Sequence, residues 1–174
     1  MKRVIGVFAL MVLVISGVCA RGGGGVFHGA YYLVQEYTNV DRDVRIVGGY
    51  GYGVDRGSVR HGGFGLVIHD RDTSELVGAF GGVISGRQLR TGSLTLSVNL
   101  WTGVGYVNPW VVSSPAGVGY FAEAAAEAGL TLLPWFQVGV YGGMQAIGSL
   151  DPPYLISSAR YAPVLGTRLT WGRF

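Results

Sequence analysis

From residue 26 onward, apolar and small or polar positions alternate with period two, the spacing of a strand with two unlike faces. In GSLTLSVNLW, Leu94, Leu96, Val98 and Leu100 share one face, and Thr95, Ser97 and Asn99 share the other. FQVGVYGGMQA sets Phe136, Val138, Val140 and Met144 against Gln137, Gly139, Tyr141, Gly143 and Gln145. RIVGGYGYGV sets Ile46, Tyr50, Tyr52 and Val54 against Arg45, Gly49, Gly51 and Gly53, and GGFGLVIH sets Phe64, Leu66 and Ile68 against Gly63, Gly65 and His69. The final run opposes Leu165, Leu169 and Trp171 to Gly166, Arg168, Thr170 and Gly172. YFAEAAAEAG (120–129) is rich in helix formers, yet its parities also separate: Ala122, Ala124, Ala126 and Ala128 on one side, Phe121, Glu123, Ala125 and Glu127 on the other. Its neighbours alternate, so it is read as a strand as well.

Turn chemistry separates the runs at 39–43, 55–58, 70–74, 85–92, 108–117, near Leu133-Pro134, and at 149–158. These connections predict eight strands, over 26–37, 44–54, 61–69, 75–85, 93–106, 118–131, 135–147 and 159–174. Eight alternating strands close in two ways. A water-soluble barrel turns its oily face inward; a membrane barrel turns it outward and fills the lumen with small or polar residues. The polar-parity residues Arg45, Asn99, Glu123, Glu127, Gln137, Gln145 and Arg168, with many glycines among them, are expected inside, as ion pairs and the room they need. The apolar parity then faces lipid, with Tyr50, Tyr52, Trp110, Tyr120, Trp135 and Trp171 near strand ends, as an interfacial aromatic girdle requires. The fold class expected is all-β, an eight-stranded antiparallel up-and-down transmembrane β-barrel.

The first 20 residues read differently. MKRVIGVFALMVLVISGVCA has a basic start, an apolar run and small residues at Val18 and Ala20, the pattern of a secretory signal peptide. Its apolar run, 4–18, is shorter than the roughly 20 residues a spanning helix needs. Residues 1–20 are therefore assigned as a cleaved signal and 21–174 as one barrel domain. Removing the leader takes Lys2, the only lysine, and Cys19, the only cysteine, and leaves 11 arginines against 10 acids. A balance near neutrality excludes an electrostatic case for nucleic acid, and no disulfide is available. Glycine, at 31 of 174, is the outlying count. Cys19 follows SGV, which fits a lipoprotein acylation motif poorly at both Ser16 and Val18.

The leader, the eight alternating segments and the closing VLGTRLTWGRF resemble the small eight-stranded outer-membrane barrels of diderm bacteria, the ending being similar to treponemal members. The resemblance spans residues 21–174 as an architecture. It implies outer-membrane lipid as the surrounding medium, a monomer, and the barrel-assembly machinery as a partner that reads the terminal strand through Trp171 and Phe174. It also implies surface loops able to carry adhesion, with a narrow pore or none. Phe174 departs from the usual spacing, because Gly172 and Thr170 occupy the places two and four back.

An even strand count places 39–43, 70–74, 108–117 and 149–158 outside the cell and 55–58, 86–92 and 132–134 in the periplasm. Asn108, Pro109, Trp110, Asp151, Pro152, Pro153 and Tyr154 are the surface-loop candidates. Catalytic, metal and cofactor sites are not expected. GYGYGVDRG lacks the lysine of a phosphate loop, and His28, His61 and His69 stand in no metal-ligand spacing. The alternatives are a lipid A-modifying enzyme, for which His69, Asp70, Asp72 and Ser74 lie at one predicted rim, and a periplasmic lipocalin-like lipoprotein.

Overall fold

The structure, a computed structural model, describes residues 22–35, 40–72, 75–108, 117–150 and 160–173. They form β1 (Gly22–Gln35), β2 (Val40–Val54), β3 (Val59–Asp70), β4 (Leu76–Thr91), β5 (Leu94–Val107), β6 (Val118–Leu133), β7 (Phe136–Ser149) and β8 (Arg160–Arg173). Each strand pairs antiparallel with the next, and β8 pairs with β1, so the sheet is a closed up-and-down barrel. All eight expected strands are present. The expected turn over 85–92 is not: β4 runs on to Thr91, with Leu89 opposite Leu96 and Thr91 opposite Leu94. The hairpin needs only two residues, because Gly92 takes the left-handed conformation (φ 61°) that a tight turn demands. In the β2–β3 turn Ser58 sits at the same φ, and the Asp55 carboxylate accepts the amides of Gly57 and Val59.

The register fixes the barrel's shape. Paired residues lead once around the sheet from Trp171 through Gly24, Gly51, Gly63, Val83, Thr102, Ala122 and Ala146 to Tyr161, ten residues from the start. A stagger of ten across eight strands tilts them by about 40° to the barrel axis and leaves a lumen only wide enough for side chains.

That lumen is packed. Phe27, Tyr50, Phe64, Phe80, Trp101, Phe121 and Tyr141, from β1 to β7 in order, are all buried. Phe27 and Trp101 come from opposite strands and meet edge-on with centroids 5.2 Å apart, and Phe64 lies 5.0 Å from Trp101. This corrects the expected orientation of two strands. Ile46, Tyr50 and Tyr52 of β2 and Phe64, Leu66 and Ile68 of β3 point inward, while Gly49, Gly51, Gly63 and Gly65 take the outer face. The reason is volume. Trp101, Phe121 and Tyr141 of β5 to β7 enter the bore beside small residues, Ser97, Asn99, Gly103, Gly139 and Gly143, and Phe27, Tyr50, Phe64 and Phe80 of β1 to β4 take the space those leave.

Glycines on the inner face let this happen. A Cβ on Gly48 would lie 2.5 Å from the Phe27 ring, and one on Gly82 would lie 2.1 Å from the Thr102 carbonyl oxygen. Outward Gly81 has its nearest such neighbour, the Phe64 carbonyl oxygen, at 3.6 Å. Gly82→Ala is expected to cost roughly 1–3 kcal/mol of stability, and Gly81→Ala little. Thermal unfolding followed by circular dichroism distinguishes them, and equal melting of the two variants would refute this packing.

Candidate functional site: the lumen network and the outer wall

The inner face of β6 supplies Glu123 and Glu127, four residues apart and both buried. Strand periodicity points both carboxylates at the axis. One oxygen, Glu127 Oε2, is the hub. It accepts from Arg168 Nη1 at 2.7 Å, Arg60 Nη1 at 2.8 Å, Ser97 Oγ at 3.2 Å and Asn99 Nδ2 at 3.3 Å. Glu123 meets Arg168 Nη2 at 3.6 Å. Two arginines face two glutamates, so the cluster is neutral as a whole.

Ring faces and amides complete it. Arg60 lies over the Tyr52 ring at 4.1 Å, donates to the Tyr52 hydroxyl at 3.2 Å and donates from Nε to Gln88 Oε1 at 3.1 Å. Arg168 sits 4.2 Å from the Tyr141 ring centre and 4.5 Å from that of Trp101. Such cation–π placements partly repay the desolvation of a buried guanidinium. The Tyr50 hydroxyl hydrogen-bonds Thr170. Above this layer Gln145 and Trp101 Nε1 are buried without a hydrogen-bond partner among the described residues.

Of the residues expected in the lumen, Asn99, Glu123, Glu127, Gln137, Gln145 and Arg168 are buried there. Arg45 is the exception: it is exposed, between fully buried Val44 and Ile46, and so belongs to the outer face. Two network members escape the sequence pattern, Arg60 and Gln88, because the turn signals at 55–58 and 85–92 adjoin the one and cover the other. The available signal was parity, since Arg60 is in phase with Phe64 and Leu66, and Gln88 with Phe80 and Ile84. Tyr50 and Tyr52, expected in the girdle, are lumen residues whose hydroxyls need polar partners.

Asn108 is half-buried and ties its segment down, donating its amide to the Val77 carbonyl at 2.8 Å and Nδ2 to the Leu76 carbonyl at 3.3 Å. Pro109, Trp110, Asp151, Pro152, Pro153, Tyr154 and Phe174 lie outside the described residues, as do His28's side chain and Ser74. Asp70 is buried, whereas half-exposed His69 belongs to the opposite face of β3, so the two do not form a pair.

The outer wall has its own order. On the upper part of the barrel, Tyr106, Tyr120 and Tyr161 of β5, β6 and β8 stand at one level once the rise of about 1.25 residues per strand is allowed for. At the other end Trp135, Phe136 and Trp171 form a contiguous ring cluster, centroids 5.9 Å and 5.7 Å apart. The ten residues from Tyr161 to Trp171 span about 25 Å along the axis at this tilt. Between the two levels the outward side chains include Val47, Val83, Val98, Leu100, Val104, Val140, Met144 and Leu165, all exposed, together with alanines and glycines. Among the described side chains, the outward charged or ionisable ones, Arg45, His61, His69 and Arg87, lie within about two residues of one level or the other.

Compared with protein-family models, curated proteins and solved structures, the chain finds no match.

Glu127→Ala leaves two guanidiniums buried against each other and should cost roughly 3–5 kcal/mol, and Glu123→Ala less, because it withdraws only the longer contact. Chemical unfolding read by tryptophan fluorescence measures both. A Glu127→Ala protein as stable as the parent would rule out the hub.

Proposed function

We propose that this chain is an integral outer-membrane barrel that presents surface loops, a scaffold for contact at the cell surface rather than a pore or an enzyme. The observation that carries this is the outer wall: an apolar band between two aromatic levels about 25 Å apart, tyrosines at one and a Trp–Phe–Trp cluster at the other, with the outward arginines and histidines confined to within about two residues of those levels. In water this surface would be an aggregation hazard, since large apolar patches are rare on soluble monomers. In hydrocarbon it is matched, and closure of the sheet leaves no unpaired backbone edge. Outward arginines and histidines at the two levels reach headgroups by snorkelling.

The remaining assignments follow from this reading. Residues 1–20 are the export signal and 21–174 the inserted domain. The connections at one end, 55–58, 92–93 and 134–135, are short, and both strand termini, Gly22 and Arg173, pair there. That end is the periplasmic one. The 108–117 and 150–159 connections, ten residues each, open to the outside and are the adhesive candidates. Trp171 and Phe174 serve the assembly machinery, as in the small barrels that the sequence resembles. Rings from opposite strands meeting across the lumen argue for a closed scaffold.

Two measurements test it. The purified chain without its leader should fold only with detergent or bilayer and show heat-modifiable migration; a compact monomer in plain buffer would end the reading. In cells carrying a Cys19→Ser background, Asp72→Cys should react with an impermeant thiol label and Arg56→Cys should not. The reverse pattern would invert the topology.

A further inference from the structure

On the outer wall of β5 to β8 the side chains are uneven in height. Ala126, Ala128 and Gly142 form a low floor, and Leu96, Val98, Val140 and Leu165 stand around it, bounding a trough of about 750 Å³. The trough ends at Arg87, Gly57 and Ser58, beside the short turns. Arg87 is exposed on the outer face, opposite Val98 of β5 and Val59 of β3. Arg56 and Arg90 are exposed at the same end. The one acid there among the described residues, Asp55, uses its carboxylate on the amides of Gly57 and Val59. With three arginines against one acid among the described residues, this rim is net positive directly below an apolar recess.

We infer that the recess and Arg87 bind an anionic phospholipid of the leaflet next to the short turns, its phosphate on the arginines and an acyl chain along the alanine floor. This rests on the membrane reading above and deepens it. The two parts do different work. Inside a bilayer an acyl chain gains little by exchanging lipid neighbours for Leu and Val, so the trough sets position. Discrimination comes from charge, since a basic residue near an anionic headgroup gains a favourable interaction that a zwitterionic headgroup largely cancels. Arg87 is placed for this because its stem can lie along Val59 and Val98 while the guanidinium reaches the interface.

Native mass spectrometry of the folded barrel from micelles holding equal phosphatidylglycerol and phosphatidylcholine tests the inference. The parent chain should retain phosphatidylglycerol in preference by about fivefold for each arginine engaged. Arg87→Gln should lower the preference by about that factor, Arg87→Lys should keep most of it, and Ala126→Leu, which fills the floor, should reduce retention of lipid altogether. Equal retention of the two lipids by the parent, or an unchanged preference in Arg87→Gln, overturns the lipid site and leaves the membrane reading intact. A parent chain that forms no heat-modifiable species in micelles overturns both.

Discussion

The bore of the barrel is the constraint on which the rest of the structure depends. Eight strands staggered by ten residues enclose a column just wide enough for side chains to fill. Whatever faces inward must therefore fill space and satisfy its own polar atoms. The two demands fall at different heights. A polar layer around Glu127 gathers Arg60, Arg168, Ser97, Asn99 and Gln88, and a slab of rings and branched side chains, Phe64, Phe80, Phe121, Ile46 and Ile68, lies over it. Tyr52, Tyr141 and Trp101 join the layers, each offering a ring face to a guanidinium.

A buried ion cluster is weak evidence for stability in itself, because desolvation offsets much of the attraction. Its value here is in specifying register. Arg60 on β3, Glu127 on β6 and Arg168 on β8 lie on three strands that are not sheet neighbours, and they meet only if every intervening pairing is in place. A slip by one residue in any hairpin would turn an inward charge outward. The neutral count of two arginines and two glutamates means that such a slip strands a partner as well.

How much of this could be read from the sequence differs between the two halves of the chain. The period of two exposed all eight strands, and in β5 to β8 the acids and amides of one parity marked the lumen face correctly, because a charge in mid-strand has only one tolerable side. In β2 and β3 the choice lay between glycine and apolar residues, and glycine says nothing about environment. Arg45 misled for the same reason: one charge near a strand end can leave by the rim from the outer face, so its parity did not define the inside. The polarity of the 85–92 segment suggests a turn, yet Arg87 and Gln88 are strand residues on opposite faces. Polar composition near a rim is compatible with full strand pairing.

The distribution of glycine now has a physical account. On the inner face a glycine sits where a ring or carbonyl from an adjacent strand closes in, as Gly48 does beneath the Phe27 ring and Gly103 against the Gly81 carbonyl. On the outer face of β2 and β3 the glycines stand behind inward aromatics, so each bulky ring is backed by a residue that leaves its strand free to bend and twist. β2 and β3 thus have a thin exterior, whereas β5 to β7 carry Leu, Val and Ala outside and still send Trp101, Phe121 and Tyr141 into the bore. Hydrophobicity alone assigns a strand's greasy side to one face throughout, and it fails here because the lumen is itself largely apolar.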